Sequence, residues 1–386
     1  MSSENIESDT SIANGKIEYR RVAVKAGTTL LTRSNGRLNM QVMSALVEQL
    51  SQLGERGVET LLVSSGSVAA GRHVLGVRQD ERDVPLRQVL AAAGQGRLMH
   101  AYEQLFDWHQ IPVAQALLSR KDLRDRLGYL NIRNTLLSLL ARKVVPIINE
   151  NDVVSVDELE GEVFGDNDNL SALVANIVDA DLLVMLGEIE GLFTADPHRD
   201  PNAQLVPSVD KFDEEIEAMG GGAWDSKGRG GMSTKLEAAK IAIESGIDVV
   251  IASGFTENVL TRLVDGERIG TFFPATSTKI ESRKRWMLSG VSEKGIIVID
   301  EGACNALLDD SSSLLPSGVQ KVSGAFDRGD IVSVTDILGT KLAAGITNYE
   351  SAELTTISGV QSNRIHELLG HHYGDEVIHR DNMVIL

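Results

Sequence analysis

The sequence predicts an α/β protein: a mostly parallel central sheet covered by helices on both faces, followed by a small β-rich second domain. Three observations carry this prediction. Through the first two-thirds of the chain, short runs of β-branched and other apolar residues alternate with stretches of helical periodicity. Glycine-bearing and polar clusters follow those runs, and ligands of open α/β sheets sit at the carboxyl ends of the strands. After about Gly270 the texture changes to short β-rich runs separated by turns.

Taken in order, the candidate strands are 22–24, 60–63, 111–117, 144–148, 181–186 and 247–252. Between them, 38–57 places Met43, Leu46, Val47, Leu50 and Leu53 on one face at 3.6 periodicity. Segments 86–108, 127–142, 169–178 and 234–245 behave similarly. In the second domain the apolar runs are 296–299, 331–334 and 384–386, with turns at Ser317-Gly318 and Arg328-Gly329-Asp330. The stretch SRKRW (282–286) reads as a basic linker. The opening residues, polar and rich in Ser, Glu and Asn, read as a disordered extension.

A chain of 386 residues can bury two cores. Its formal net charge of −18 argues against a general nucleic-acid binder, which usually presents a basic face. Charge is uneven, however: Lys279, Arg283, Lys284 and Arg285 stand between acidic regions, and from Gly290 onward 6 Lys/Arg face 14 Asp/Glu, a net of −8. No run of about 18 apolar residues is present, so no membrane span is expected. The start lacks the basic-then-apolar pattern of a secretory signal. Cys304 is the sole cysteine, which leaves no internal disulfide and no thiolate metal cage. A cytoplasmic location is the expectation.

The most informative segment is GRGGMSTK (228–235), three glycines running into Ser233, Thr234 and Lys235 ahead of a helical pattern. Glycines let backbone N–H groups approach an anion, a helix start presents unpaired donors, and a lysine adds a full charge. The order is not that of a Walker A loop. A plain glycine-rich turn with an N-cap is the alternative. KAGTT (25–29) offers a lysine at a strand end, a close-approach backbone and two hydroxyls, or else a solvated lysine before a turn. SSGS (64–67) lacks the glycine two residues before the serine that a nucleophile elbow needs. It reads as donors to a small anionic ligand or as a helix N-cap.

NEND (149–152) and GDNDNLSA (165–172) crowd carboxylates and carboxamides at strand and helix ends. Such groups bind an ammonium or orient catalytic lysines, although aspartates in a first helical turn also stabilise the helix alone. Between the two clusters, Asp157, Glu158, Glu160 and Glu162 mark a solvated loop that could act as a lid. The eight histidines show no metal spacing, His371-His372 included, and no G-x-G-x-x-G follows the first strand. No Ser-His-Asp set is evident. Two lysines, glycine loops and aspartates without a general base suit phosphoryl transfer, which needs positioning and charge neutralisation, often with Mg²⁺. A base is unnecessary when the acceptor is a carboxylate, ionised at pH 7 because its pKa is about 4.

VAVKAGTT, VSSGSVAAGR, AAAGQGRLM, PIINENDVV, GDNDNLSALVA, GLFTADP, GRGGMSTK and ESRKRW occur in the order found in the glutamate 5-kinase family. The chain resembles that family from about Tyr19 to its end. The resemblance implies the αβα sandwich of the amino-acid kinase fold and, from Lys294, with IDEGACNALL and SSSLLPSGV, a PUA domain. The implied layout is an extension over 1–18, a kinase domain over 19–276, a basic linker over 277–293 and the PUA domain over 294–386.

The implied reaction moves the ATP γ-phosphoryl group to the side-chain carboxylate of L-glutamate, with Mg²⁺, as the first committed step of proline synthesis. Feedback inhibition by proline, a homo-oligomer and contact with the next enzyme of that synthesis are implied too. By position, Lys25 and Lys235 would neutralise the phosphoryl group in flight, Gly27 would offer it a backbone N–H, and Asp168 would hold the two lysines. Ser65, Asp152 and Asn167 match glutamate contacts, with Asp152 the partner of the substrate ammonium. Lys25, Gly187, Glu188, Arg229, Gly230, Gly231, Met232, Ser233, Thr234 and Lys235 match nucleotide contacts. No side chain is expected to hold a metal.

The chain departs from the family pattern at Gly187 and Glu188, where a Thr-Asp pair is common, which puts nucleotide contacts there in doubt. The loop between Asp152 and Asp166 is longer and more acidic than in the family's pattern, and Ala26 replaces a bulkier apolar residue. Rival readings are another amino-acid kinase acting on N-acetylglutamate, aspartate or carbamate, an RNA-binding regulator, and a catalytically silent scaffold. The PUA-like tail with NEND and GDNDN opposes the first, and the tail's net −8 the second. Lys25, Asp168 and Lys235, all present, oppose the third.

Overall fold

The computed structural model describes residues 12–13, 16–17, 19–33, 35–77, 83–154, 167–197, 199–221, 231–279, 294–309 and 312–386. The chain divides into two compact units, Met1–Leu123 with Ile132–Lys279, and Arg124–Asn131 with Ile280–Leu386. Of the expected extension, the described residues are β1 (Ile12–Ala13) and β2 (Lys16–Ile17), an antiparallel pair. Of the expected linker, all but 277–279 lies outside the described residues.

The first unit is built on β3 (Arg21–Ala26), β4 (Glu59–Ser64), β5 (Val113–Leu118), β6 (Val145–Glu150), β7 (Leu182–Gly187), β8 (Asp248–Ser253) and β9 (Thr271–Phe273). They pair in the order β5-β6-β4-β3-β7-β8-β9, parallel throughout except for the antiparallel β9 edge. Interior strands such as β3 and β4 are buried from their second residue onward, because helices cover both faces. Those elements are α1 (Thr28–Leu31), α2 (Met40–Glu55), α3 (Ser67–Leu75), α4 (Val84–Asp107), α5 (Arg120–Arg124), α6 (Arg126–Ala141), α7 (Asn167–Ile177), α8 (Glu214–Gly221), α9 (Met232–Glu244) and α10 (Val259–Val264). The first residues of α6 are counted with the second unit. Met43, Leu46, Val47, Leu50 and Leu53 of α2 do share one buried face, packed with Val22, Val24, Leu182 and Val184 of the sheet.

Two differences from the sequence reading bear on the site. The apolar run ends at Val24, yet ladder hydrogen bonding carries β3 through Lys25 and Ala26, so Lys25 is part of the strand rather than the loop after it. The edge strand β9 was not anticipated, because three residues give too short a pattern to read.

Helices α3 and α4 touch backbone to backbone. A Cβ on Gly71 would lie 1.8 Å from the Leu90 carbonyl oxygen, and one on Gly94 would lie 1.8 Å from that of Ser67. Only glycine permits this approach, and it fixes the start of α3 against α4.

The second unit holds a sheet of order β11-β10-β12-β13-β14. Its strands are β10 (Gly295–Ile299), β11 (Val319–Gly324), β12 (Ile331–Thr335), β13 (Lys341–Ile346) and β14 (Met383–Ile385). Helices α11 (Glu301–Asp309), α12 (Ser351–Ile357) and α13 (Ile365–Leu369) accompany it. Ile297, Ile299, Val332, Val334, Leu354 and Ile357 are among its core. Strands β11 and β13 escaped the sequence reading because VQKVSG and KLAAGI carry few β-branched residues between their polar and glycine positions.

Candidate active site

The sheet order makes β3 a switch point. The chain runs from β3 through β4, β5 and β6 on one side, then returns with β7 and β8 on the other. Ligands of open α/β sheets occupy the crevice beyond the carboxyl ends at such a point. The ends that meet there are Lys25-Ala26, Ser64-Ser65, Asn149-Glu150 and Gly187.

Asp168 is the hub. It lies in the first turn of α7, fully buried, and its two carboxylate oxygens face different lysines. Lys25 Nζ ion-pairs with Oδ1. Lys235 Nζ meets Oδ2 at 3.1 Å, and the Thr234 hydroxyl donates to the same oxygen at 2.9 Å. Lys235 is in the first turn of α9, whose N-cap is Gly231, so its amine stands at the positive end of a helix. Two cations from sites 210 residues apart in sequence converge on one carboxylate, and the lysine side chains are 4% and 13% exposed. Such an arrangement survives burial because every charge has a partner.

Gly27 follows β3 and donates its N–H to the Leu186 carbonyl oxygen at 3.1 Å. The expected free donor at Gly27 is therefore engaged, since the residue lies where β3 leaves β7. A Cβ on Gly27 would stand 3.4 Å from the Leu186 carbonyl oxygen and 3.7 Å from the Lys25 amine, both ordinary contacts. A Cβ on Gly187 would likewise make only an ordinary contact, 3.7 Å from Lys235 Cε. The carbonyls of Gly187 and Glu188 accept from Gly254 N–H at 2.9 Å and the Ser253 hydroxyl at 3.3 Å. Of the glycine-rich segment, Gly231, Met232 and Ser233 form the cap and first turn of α9, whereas Arg229 and Gly230 lie outside the described residues. The acidic loop is described at Val153 and Val154 alone; from 155 to 166 it lies outside.

Beside the hub lies a small cleft that opens to solvent. Thr28, Ser65, Arg87, Glu150, Asp152 and Asn167 line it, together with Asn149 and the start of α3. An amide network stiffens its floor. Asn167 Nδ2 donates to Ser65 Oγ at 2.9 Å and to Asn149 Oδ1 at 3.0 Å. Asn149 Nδ2 donates to Gln95 Oε1 at 2.8 Å and to Ser67 Oγ at 3.2 Å. Asn167 Oδ1 is buried with no partner among the described residues. An orphan acceptor in a cleft is a place for a ligand's donor.

The serines do not cap α3. Its N-cap is Gly66, at φ +106°, with no side-chain bond, and the hydroxyls of Ser65 and Ser67 serve the amide network instead. Only a glycine turns the chain in this left-handed conformation without strain. The structure thus brings together Lys25, Gly27, Ser65, Asp152, Asn167, Asp168, Gly187, Thr234 and Lys235 around one crevice. Sequence reasoning missed Arg87 and Gln95. Gln95 belongs to the quoted motif AAAGQGRLM, but Arg87 is a lone arginine in a helix and gives no pattern to find.

Comparison with known proteins completes the picture. The model of the amino acid kinase family matches residues 20–253, and that of the PUA domain matches 295–369. The chain is 48% identical to glutamate 5-kinase of Dehalococcoides mccartyi (strain CBDB1) over 368 residues, 95% of this chain and 99% of that one. It is 48% identical to glutamate 5-kinase of Herpetosiphon aurantiacus over 95% of this chain and 98% of the relative. UMP kinase from Bacillus anthracis superposes at a TM-score of 0.47 with 15% identity, over 68% of this chain and 98% of its own. With a near-full-length match of this kind and a buried lysine–aspartate–lysine bridge at the sheet's switch point, the chain belongs to the glutamate 5-kinase family, an amino acid kinase with a PUA domain.

Proposed function

We propose that the Lys25–Asp168–Lys235 bridge is the phosphoryl-transfer centre and that the adjoining cleft holds glutamate. Family membership gives the reaction: ATP-dependent phosphorylation of the 5-carboxylate of L-glutamate, which opens proline synthesis. One observation carries the assignment of residues, the two amines held on opposite oxygens of one buried carboxylate.

In the proposed reaction a carboxylate oxygen of glutamate attacks the γ-phosphorus, a P–O bond forms, and the bond to the ADP oxygen breaks. The acceptor is ionised at neutral pH, so no proton has to be removed. Negative charge moves from the acceptor side to the leaving group as the phosphoryl unit passes. Lys25 and Lys235 neutralise it from two sides, pre-positioned by Asp168, and so need no reorganisation at the moment of reaction. Magnesium, bound with the nucleotide, would supply charge neutralisation on its phosphates. Among the described residues no three His, Cys, Asp or Glu side chains converge on a metal position, and Asp168 itself is occupied by the lysines.

In the cleft, Asp152 accepts from the substrate ammonium, while Asn167, which holds Ser65 and keeps Oδ1 unpaired among the described residues, lines the side next to Asp168. Gly231, Met232, Ser233 and Thr234 belong to the nucleotide side, and the backbone at Gly187 and Glu188 borders it.

The test is an ADP-release assay with glutamate, aspartate and N-acetylglutamate side by side. Turnover confined to glutamate supports the reading, and a preference for either of the others overturns it. Inhibition by proline, a homo-oligomer, hand-over of the product to the next enzyme and a cytoplasmic location extend the family reading. Adding proline to the same assay and measuring the mass in solution test the first two.

A further inference from the structure

Arg87 is the group in the cleft that neither the family motifs nor the reading above uses. It stands in the first turn of α4, behind Asp83, which caps the helix by accepting from Leu86 N–H at 2.6 Å. Its guanidinium lies 3.1 Å from Asp152 Oδ1 and 4.0 Å from Glu150 Oε2. The side chain is 20% exposed and lines the same cleft as Ser65 and Asn167. The cleft therefore has two chemically different ends. Asn167 adjoins Asp168 and the two lysines, whereas Arg87 with Asp152 and Glu150 forms a cluster of one cation and two anions.

We infer that Arg87 receives the α-carboxylate of glutamate and sets the orientation in which the 5-carboxylate reaches the lysines. The substrate's α-carbon carries an ammonium and a carboxylate, and the cluster presents the complement of both. A planar guanidinium suits a carboxylate because two parallel N–H donors match its two oxygens. With substrate bound, positive and negative charge alternate: Arg87, α-carboxylate, ammonium, then Asp152 with Glu150. In the empty cleft Arg87 and Asp152 neutralise each other, so neither is left as a lone, partly buried charge awaiting ligand. The arrangement selects an α-amino acid with both groups free, and it keeps the α-carboxylate, the wrong acceptor, away from Lys25 and Lys235.

This inference rests on the assignment of the cleft to glutamate, and the experiment separates the two. Kinetic constants are measured for the full chain, as wild type, Arg87→Gln, Arg87→Lys and Asp152→Asn, with L-glutamate and with L-isoglutamine. The latter carries a carboxamide in place of the α-carboxylate and keeps the 5-carboxylate. Circular dichroism and the KM for ATP report on folding. Wild type should prefer glutamate by about 10–100-fold in kcat/KM, the worth of a charge-assisted hydrogen bond. Arg87→Gln should raise the KM for glutamate by the same factor and bring the preference to within about threefold, and Arg87→Lys should restore part of it. A preference for glutamate that survives intact in Arg87→Gln, or is absent from wild type, overturns the role of Arg87. Should Asp152→Asn also leave the glutamate KM untouched, the cleft assignment itself falls; a raised KM there with a silent Arg87→Gln overturns the role of Arg87 alone.

Discussion

Asp168 holds Lys25 on one carboxylate oxygen and Lys235 on the other, and the three side chains come from β3, α7 and α9. Each element places its residue for an ordinary reason: a buried strand ending, a helix first turn, and a glycine-capped helix start. Their meeting is a property of the sheet order, which sets β3 between the β4–β6 and β7–β8 halves.

Replacing Lys235 by alanine removes a full charge from the transferred group. We expect kcat to fall about 10²–10³-fold with the melting temperature little changed, because one removed contact of this type in a preorganised site has that effect. Stopped-time ADP release and a thermal melt measure both. Near-normal turnover would contradict the role.

Asp168→Asn keeps the shape of the hub and removes its charge. Two lysine amines then face each other without a counter-ion, and their alignment is lost. Turnover is expected to fall about 10²-fold or more, and ATP, which brings negative charge, should raise the melting temperature of this variant by more than that of wild type. Asp168→Ala, which leaves buried charges unpaired, should cost about 3–5 kcal/mol of stability in denaturant titration.

How much of this was legible in advance differs by element. Six of the seven strands in the first unit's sheet, and its longer helices, could be read from short apolar runs and 3.6 periodicity, as in Met43 to Leu53 of α2, whereas the three-residue β9 could not. The motif residues Lys25, Asp168 and Lys235, and the holding of both lysines by Asp168, followed from the family resemblance alone, since no local pattern encodes a contact across 67 or more residues. Gly27 shows the limit from the other side. Its N–H, expected to point at the phosphoryl group, is taken by Leu186, because hydrogen bonding between strands was invisible in the sequence. Arg87 went unread since one arginine in an amphipathic helix is ordinarily a solvated side chain.

The glycines of α4 provide a paired test of packing. Gly94→Ala would drive a methyl into the Ser67 carbonyl, so we expect a loss of about 1–3 kcal/mol or more. A raised glutamate KM should accompany it, as Ser67 and Asn149 share a hydrogen bond. A Cβ on Gly96, two residues on, meets nothing within 4 Å. Gly96→Ala should therefore stabilise by about 0.4–1 kcal/mol. Chemical denaturation of both variants checks the opposite signs.

At the opposite end of the strands, Asp248 accepts from the Tyr19 hydroxyl at 3.2 Å and from Ala275 N–H at 2.9 Å. Burial is the main reason its carboxyl titrates above the ordinary carboxylate range, and the bonds from Ala275 and Tyr19 offset part of this. A raised folded pKa means that the native state holds this proton more tightly than the unfolded chain does. Its contribution to stability is present below the unfolded pKa, near ~3.9, and is lost as pH rises through the folded value. Asp248→Asn should consequently raise the melting temperature at pH 7, by an amount that shrinks as the pH approaches the ordinary carboxylate range. A gain independent of pH would contradict the cause assigned here.

The most direct test of the central claim is a crystal structure with glutamate, magnesium and a non-hydrolysable ATP analogue bound together. The account predicts both amines, Lys25 Nζ and Lys235 Nζ, within about 3.2 Å of oxygens on the γ-phosphoryl group, with Asp168 still between them and the glutamate 5-carboxylate in line. A γ-phosphoryl group seated away from either lysine, with the Asp168 bridge intact, would contradict it.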